Sequence, residues 1–290
     1  VVAVLSPVFF MSRYQQKYRA LAGLLLAATS LYTFLAGSQV ADVPLGAFVS
    51  GGIDSSLVAA LMKDVGHSRP KIFNLGFVGN TSHSEHEYAA RVAQHIDADH
   101  HPLMVQPNDV IAAFDQWVDI YDEPFGDQAA LPTMLLSRLT RQHVTVALSG
   151  EGADEVFAGY SNYGKRLREA KTAARLGHPL SPLPLIYPLL PATLRKDRLI
   201  KAAARPLARR YTTIPNHFDR ELHNGILNPA LTRQTSVPLE MLAEEAYANC
   251  QANGYLDKLL TIDQKLWLPD DLLTKVDRAT MAYSLEARVP

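Results

Sequence analysis

The chain has 290 residues, enough for one large domain or two smaller domains with a substantial hydrophobic core. Its 28 basic and 29 acidic side chains leave a net charge of −1, which excludes recruitment of nucleic acid or an anionic membrane by an overall electric field. The single cysteine, Cys250, excludes an intramolecular disulfide and a cysteine-rich metal site, and it fits a reducing compartment such as the cytoplasm.

An uncharged stretch, residues 20–41, follows a basic N-terminal segment. Its length of 22 residues is nearly sufficient for a membrane span or a signal peptide. We expect a helix that is buried against a sheet, and a membrane anchor, a sequence error and a fragment boundary stay open as alternatives. Residues 1–42 are therefore assigned to an apolar helical segment, a remnant of a preceding region.

Strand-like and helix-like patterns alternate over residues 43–175. LGAFV precedes the helical SSLVAALMKDV, KIFNLGF precedes a helix from Ser84 with a capping-box pattern to Glu87, HHPLMV precedes DVIAAFDQWVDIY, and VTVALSG precedes ADEVFAGYSNY. Strands that alternate with helices form parallel sheets. The sequence therefore predicts an α/β fold in which helices flank a parallel sheet and ligands bind at the carboxyl ends of the strands.

The second half of the chain has a different texture. Residues 176–238 are rich in proline and carry the basic runs RKDR and RPLARR, which predicts an irregular connection with solvated charges. From Leu239 the pattern is helical again, so residues 239–290 are predicted to be a helical C-terminal part of the same domain. The sequence stops at Pro290 without a clear terminator, so we expect this part to be truncated.

The segment SGGIDSS, which joins the first strand to its helix, carries the strongest chemical signal. Gly51 and Gly52 allow backbone N–H groups to approach an anion at the positive end of the helix dipole, and Ser50 and Ser55 add hydroxyl donors. No lysine follows the glycines, so the Walker A pattern fails. Asp54 would repel phosphate unless a cation intervenes, which predicts Mg²⁺. An ordinary tight turn is the alternative.

Several segments together resemble one family. FVSGGIDSS resembles the PP-loop of ATP pyrophosphatases, which split ATP into AMP and pyrophosphate. YDEPFGDQAALPTMLLSRL, VALSGEGADEVFAGY and DDLLTKVDRATMAYSLEARVP are similar to the synthetase domain of glutamine-hydrolysing asparagine synthetases. The resemblance implies that ATP activates a carboxylate, aspartate in the family, as an acyl-adenylate with release of pyrophosphate. Ammonia then displaces AMP and forms the amide.

The resemblance also implies roles for individual residues. Glu151 is expected to be the base for ammonia attack, with a helix N-terminal carboxylate as the alternative, and Asp54 and Asp122 are expected to bind Mg²⁺. The remaining contacts with ATP fall into two sets. Pyrophosphate is expected at Ser50, Gly51, Gly52, Asp54 and Ser55, and AMP at Phe48 and Leu75, at the ends of two strands, together with Ser149 and Gly150.

Other polar residues in these segments are expected to support the structure. Asp154 and Glu155 are interpreted as first-turn helix residues, and His100 and His101 as structural histidines. For Lys275, Asp277 and Arg278, a wall of the active site and an ordinary salt-bridged helix are both open.

The sequence departs from the family pattern at both ends. Family members obtain ammonia from a glutaminase domain with an N-terminal cysteine, whereas this sequence begins at Val1 and Cys250 cannot substitute, so we expect free ammonia as the nitrogen donor. A further family lysine is expected beyond Pro290. A catalytically inactive nucleotide-binding fragment and a relative acting on another carboxylate, in sugar-polymer amidation or β-lactam synthesis, are the alternatives. A homodimer is the candidate oligomer, and no nucleic-acid partner is expected.

Overall fold

The computed structural model describes residues 32–33, 37, 42–66, 69–79, 85–123, 125–176, 182–189, 191–195 and 239–289. The chain divides into two compact units, of which the first comprises residues 1–151 and 275–290 and the second residues 152–274. The first unit thus stops at Glu151 and resumes at Lys275, whereas the sequence pattern placed the boundary of the core at residue 175.

A parallel sheet forms the centre of the first unit. Among the described residues it has five strands in the order β3-β2-β1-β4-β5, and every neighbouring pair is parallel. The strands are β1 (Leu45–Phe48), β2 (Lys71–Phe77), β3 (Asp99–Val105), β4 (Val146–Leu148) and β5 (Glu286–Arg288). The parallel sheet and its helices confirm the predicted α/β fold.

Helices connect the successive strands of this sheet. They are α1 (Ile53–Gly66), α2 (His86–His95), α3 (Pro107–Ile120) and α4 (Ala130–Arg141). Helix α1 buries Val58 and Met62 as its pattern predicts, although Leu57 is exposed. Helix α2 has Glu85 as its N-cap, and the predicted cap Ser84 lies outside the described residues. The alternating pattern did not include α4.

The order of the strands fixes where a ligand can bind. The chain moves outward from β1 to β2 and β3, and then returns to the other side of β1 to form β4. Strands β1 and β4 run in parallel with Ala47 opposite Leu148, so their carboxyl ends lie side by side. The loops that leave such a reversal point separate to opposite faces of the sheet and leave a crevice between them.

The second unit is helical in its described residues. Its elements are α5 (Ala153–Phe157), α6 (Ser161–Leu176), α7 (Leu183–Ile186), a 3₁₀ turn (Tyr187–Leu189), α8 (Ala192–Arg195), α9 (Leu239–Asn249), α10 (Tyr255–Ile262) and a π-helical segment (Asp263–Leu273). Its buried apolar cluster includes Tyr163, Ala243 and Leu259. The predicted irregular connection covers residues 176–238. Most of it, from residue 196 to residue 238, lies outside the described residues.

The prediction that residues 239–290 are helical is wrong at the end of the chain. After α11 (Thr274–Met281), the chain turns and adds β5 to the edge of the sheet beside β4. Leu285 is fully buried and anchors this turn, whereas Glu286 is exposed and Arg288 half-buried. A three-residue edge strand with charged side chains lacks the apolar alternation by which strands are recognised, so its pairing partner decides its structure.

The apolar N-terminal stretch, residues 20–41, is described at only three positions. Tyr32, Thr33 and Gly37 are helical and exposed, so the predicted burial is not observed at these positions. The rest of the stretch lies outside the described residues. No helix in the described part of the chain is long and apolar enough to cross a membrane.

Two hydrogen bonds in the second unit join polar side chains, one between α5 and the bend that precedes α6, the other between α6 and the π-helical segment. Tyr160 Oη donates to Glu155 Oε1 at 2.6 Å, and Tyr163 Oη donates to Asp263 Oδ2 at 2.5 Å. Glu155 is 0% exposed, and its burial raises the pKa of the carboxyl above the ordinary value of 4.5. The Glu155 carboxyl is therefore harder to ionise in the native state than in the unfolded chain.

We predict that Glu155→Gln raises the melting temperature more at pH 8 than at pH 5. As the pH rises through the raised pKa, the native state must ionise a buried carboxyl that the unfolded state ionises more easily, so stability falls with rising pH. Glutamine does not ionise and avoids this loss. Thermal unfolding at both pH values measures the effect, and Glu245→Gln on the exposed surface of α9 is the control. An equal shift at both pH values would contradict the prediction.

Candidate functional site

Two serine hydroxyls close the loop that follows β1. Ser50 N donates to Ser55 Oγ and Gly52 N donates to Ser50 Oγ, both at 3.2 Å, and the two hydroxyl oxygens are 3.0 Å apart. The bond from Ser56 N to Gly52 O, at 3.1 Å, opens the hydrogen-bond ladder of α1. The N–H groups of residues 53–55 precede this bond, so they belong to the helix end that attracts anions.

Gly51 is required by both conformation and space. Its φ of +86° lies in the left-handed region, where a side chain is strained. A Cβ at this position would also lie 2.3 Å from the Cβ of Tyr88 and 2.9 Å from the backbone nitrogen of Ala89. The loop therefore packs directly against α2, which fixes its shape without a bulky side chain.

Gly150 brings the loop after β4 into contact with the first turn of α1. A Cβ on Gly150 would lie 2.9 Å from Ser55 N and 3.2 Å from the carbonyl carbon of Asp54. The structure thus brings the two predicted nucleotide-binding segments together through backbone contact. Because no side chain separates them, the backbone of the loop after β4 lies directly beside the N–H groups that begin α1.

The residues on either side of Gly150 are fixed by hydrogen bonds to the sheet and to each other. Ser149 is buried, and its N–H donates to Arg288 O on β5 at 2.9 Å. The N–H of Glu151 donates to Ser149 Oγ at 3.4 Å. Glu151 retains a side chain that is 30% exposed, so its carboxylate is accessible to a ligand and to water.

Phe48 and Leu75, the predicted AMP contacts on β1 and β2, lie on adjacent strands. Phe48 is the last residue of β1, whereas Leu75 precedes the end of β2 by two residues. Both are half-buried, and each side chain packs against an apolar cluster of the first unit. Contact with an adenine nucleotide would therefore involve their backbone and the part of the side chain that remains exposed.

The two predicted metal carboxylates have different surroundings. Asp54 lies half-buried in the first turn of α1 and forms no ion pair with any residue that the structure describes. Asp122 is 78% exposed and pairs with Arg278, whose Nη1 donates to Asp122 Oδ2 at 2.5 Å. This hydrogen bond and the charge of Asp122 raise the pKa of Arg278.

No group of three His, Cys, Asp or Glu side chains in the described part of the chain could hold a metal ion. A Mg²⁺ ion that accompanies ATP does not need such a cage, because one or two carboxylates and the phosphate oxygens are sufficient ligands. Asp54 fits this requirement since it combines an accessible carboxylate with a loop built for anions. Asp122 could bind a cation only after its ion pair with Arg278 is broken.

Lys275 is the clearest addition that the structure makes to the site. Its Nζ donates to Asp127 Oδ2 at 2.9 Å and lies 3.9 Å from Glu151 Oε1. Asp277, two residues further along α11, is exposed. Among the three residues of this helix, Lys275 thus contacts the candidate base, whereas Arg278 pairs with Asp122. Asp127 lies within a segment that resembles the family, but its sequence position gave no sign of this contact.

The two histidines of β3 make structural contacts, as expected. His100 Nε2 is 2.6 Å from Asn74 Oδ1, and the ring of His101 stacks on Phe73 with ring centroids 5.1 Å apart. Burial is the main cause that lowers the pKa of His100. These contacts stabilise the pairing of β3 with β2.

Comparison with known proteins identifies the family. The model of the family described as asparagine synthase matches residues 29–290. The chain belongs to the asparagine synthase family. It is 32% identical over 253 residues to "Asparagine synthetase [glutamine-hydrolyzing] 1" of Bacillus subtilis (strain 168), a match that covers 86% of this chain and 39% of the relative.

Two further relatives carry different names. "Putative asparagine synthetase [glutamine-hydrolyzing]" of Mycobacterium bovis is 37% identical over 256 residues, which cover 86% of this chain and 38% of that protein. "Amidase chyE" of Penicillium rubens is 28% identical over 216 residues, which cover 68% of this chain and 31% of that protein. The asparagine synthase family member described here thus spans well under half the length of these relatives.

We predict that Gly150→Ala lowers the free energy of unfolding by about 1–3 kcal/mol, the usual cost of forcing an extra carbon into a packed contact. The new Cβ would meet the backbone of α1, which cannot move aside as a flexible side chain can. Denaturant unfolding measures the change. Gly126→Ala is the matched control because nothing lies within 4 Å of a Cβ at that position. Equal stability of the two variants would show that the loops are not in close contact.

Proposed function

We propose that this chain forms the synthetase part of an ATP-dependent amide-forming ligase. A carboxylate oxygen of the substrate attacks the α-phosphorus of ATP, the bond to the pyrophosphate oxygen breaks, and an acyl-adenylate forms. Ammonia then attacks the acyl carbon, loses a proton and displaces AMP. The observation that carries this proposal is the backbone contact of Gly150 with Ser55, which brings an anion-binding loop and a candidate base to one strand reversal.

The loop after β1 provides donors for the leaving pyrophosphate. The backbone N–H groups at the start of α1 and the hydroxyls of Ser50 and Ser55 lie in one tight turn. Gly51 and Gly52 keep side chains away from this surface. Donors held in place before the reaction stabilise negative charge as it develops in the transition state, without a cost of reorganisation. We assign pyrophosphate binding to these residues and to Asp54.

The AMP moiety is assigned to the crevice between β1 and β4. Phe48 and Leu75 would border it on one side, and Ser149 and Gly150 on the other. Support comes from the parallel pairing of β1 with β2 and β4, which aligns the carboxyl ends of these strands. A nucleotide at this position would have its α-phosphate close to the start of α1.

Mg²⁺ would be held by Asp54 together with phosphate oxygens. When bound, the ion neutralises part of the charge on the pyrophosphate. Asp122 is retained as the second metal carboxylate of this proposal. It would bind Mg²⁺ only after its ion pair with Arg278 is broken. The chain's own contribution is to place Asp54 beside the anion-binding turn, where a carboxylate is useful only with a cation.

Glu151 is proposed to take the proton from the attacking nitrogen. It follows the buried Ser149 and the tightly packed Gly150, so its backbone is fixed at the mouth of the crevice. Its carboxylate is partly exposed and therefore within reach of a substrate. A general base must lie within hydrogen-bond reach of the proton that it removes, and the proposal puts the activated carboxylate next to Glu151.

Aspartate and ammonia are the proposed substrates, with ATP, because two of the compared relatives are named as glutamine-hydrolysing asparagine synthetases. We also propose a cytoplasmic location, where ATP is available to the enzyme. The Penicillium relative is named as an amidase, which supports a second candidate, amide formation on a different carboxylic acid. Both candidates use the same chemistry and differ only in the acid.

We predict acid-dependent exchange of labelled pyrophosphate into ATP, with aspartate as the preferred acid. The exchange reports reversible adenylation alone, so it needs no ammonia source. Aspartate should be compared with glutamate, asparagine and larger carboxylic acids under identical conditions. Preference for another acid would favour the second candidate. ATP binding without exchange for any acid would favour a catalytically inactive nucleotide-binding chain.

We predict that Asp54→Asn abolishes Mg²⁺-dependent ATP binding and leaves the fold intact. Asparagine keeps the size of the side chain and removes the charge that attracts the cation. Calorimetric titration with ATP, with and without Mg²⁺, measures the change, and circular dichroism checks the fold. Asp277→Asn on the exposed surface of α11 serves as the control. Unchanged affinity in the presence of Mg²⁺ would remove Asp54 from the metal site.

We predict that Glu151→Gln slows amide formation by about 10²–10⁴-fold, the usual contribution of a positioned general base. Glutamine keeps the shape and hydrogen-bonding capacity of the side chain but cannot accept a proton at neutral pH. ATP affinity and pyrophosphate exchange should change little, because the base acts after adenylation. Loss of exchange together with amide formation would instead assign Glu151 to the nucleotide site.

A further inference from the structure

A buried ammonium group lies between two carboxylates in the first unit. The side chain of Lys275 is only 7% exposed, and its Nζ is 2.9 Å from Asp127 Oδ2 and 3.9 Å from Glu151 Oε1. A charge taken out of water is costly unless opposite charges and hydrogen bonds compensate it. Asp127 provides the hydrogen bond, so the contact with Glu151 is an additional electrostatic link.

Neither end of this ion pair is free to move. Asp127 Oδ1 accepts a hydrogen bond from Ala129 N at 2.8 Å, which holds the carboxylate at the start of α4. The backbone oxygen of Lys275 accepts one from the buried Tyr121 Oη at 2.9 Å. Since both its backbone and its ammonium are tied, Lys275 presents a fixed positive charge to the loop that carries Glu151.

We propose that Lys275 is a positioning residue that holds the Glu151 carboxylate ionised and oriented at the carboxyl end of β4, and that Asp127 limits the strength of this effect by sharing the ammonium. The inference rests on the proposed function, in which Glu151 is the base. A base must be ionised before it can accept a proton, so the charge at Nζ would set the pH range over which amide formation proceeds.

The two partners of Lys275 have opposite effects on Glu151. An opposite charge within about 4–6 Å favours the ionised form of a carboxyl, and a like charge disfavours it. Loss of the ammonium would therefore make Glu151 harder to ionise. Loss of the charge on Asp127 would make it easier, because a neighbouring negative charge disappears and the ammonium is shared no longer.

The experiment is a pH titration of the Glu151 carboxyl carbon by ¹³C NMR, with the signal assigned by its loss in Glu151→Gln. Lys275→Met should raise the titration midpoint by about one pH unit, the lower end of the range for such pairs because Glu151 is partly exposed. Asp127→Asn should lower the midpoint, and Lys275→Arg should keep it near that of the parent protein. Lys165→Met, on the exposed surface of α6, is the matched control and should leave it unchanged.

The same variants should move the acid limb of the pH profile for single-turnover amide formation in the same directions. Pyrophosphate exchange should keep its pH profile in all of them. Midpoints that do not move in Lys275→Met and Asp127→Asn would overturn the proposal and leave Lys275 as a structural residue. If Lys275→Met does not fold, Asp127→Asn and Lys275→Arg still decide the outcome.

Failure of the proposed function would be recognised separately. It would show as a parent protein without acid-dependent pyrophosphate exchange, whereas the NMR titration requires no activity. If the Glu151 midpoint shifts in the variants but the parent protein shows no pyrophosphate exchange, the electrostatic link between Lys275 and Glu151 is supported and its role in catalysis is rejected. Normal exchange with an unshifted midpoint would retain the function and reject the link.

Discussion

Close backbone contact between two loops is the constraint on which the whole site depends. The loop after β4 touches the first turn of α1 at Gly150, and the loop after β1 touches α2 at Gly51. Both contacts are shorter than a side chain would allow. They follow from the pairing of β1 with β4 and β2, which places the loops side by side before any ligand arrives. The lining is therefore backbone, which donates hydrogen bonds from fixed positions.

Local patterns in the sequence were sufficient to predict most of the first unit. The α/β fold is encoded by short alternating runs, and the anion-binding turn by the adjacent glycines and serines of residues 50–55. Each of these features depends on neighbours within a few residues. The predicted starts of the helices differ from the observed ones by about two residues, as for α1, because hydrogen bonds and packing decide where the first turn begins.

Features that depend on distant partners could not be predicted in this way. The ion pair of Lys275 with Asp127 joins residues 148 positions apart, and β5 becomes a strand only because β4 is beside it. Asp122 illustrates the same limit. Its motif position implied a metal ligand, which stays a prediction, but the motif did not indicate the ion pair with Arg278 that α11 supplies. The residue type was informative about charge, but not about which charge it meets.

The late return of the chain to the sheet also has a consequence for synthesis. Residues 152–274 must be made between the strand β4 and its outer neighbour β5. Until residues 286–288 emerge, β4 presents an unpaired row of N–H and C=O groups, which is a surface that invites pairing with other chains. The buried ammonium of Lys275 arrives at the same stage. A nascent chain that stops before this point would have an exposed sheet edge and an incomplete site, so we expect it to be prone to aggregation.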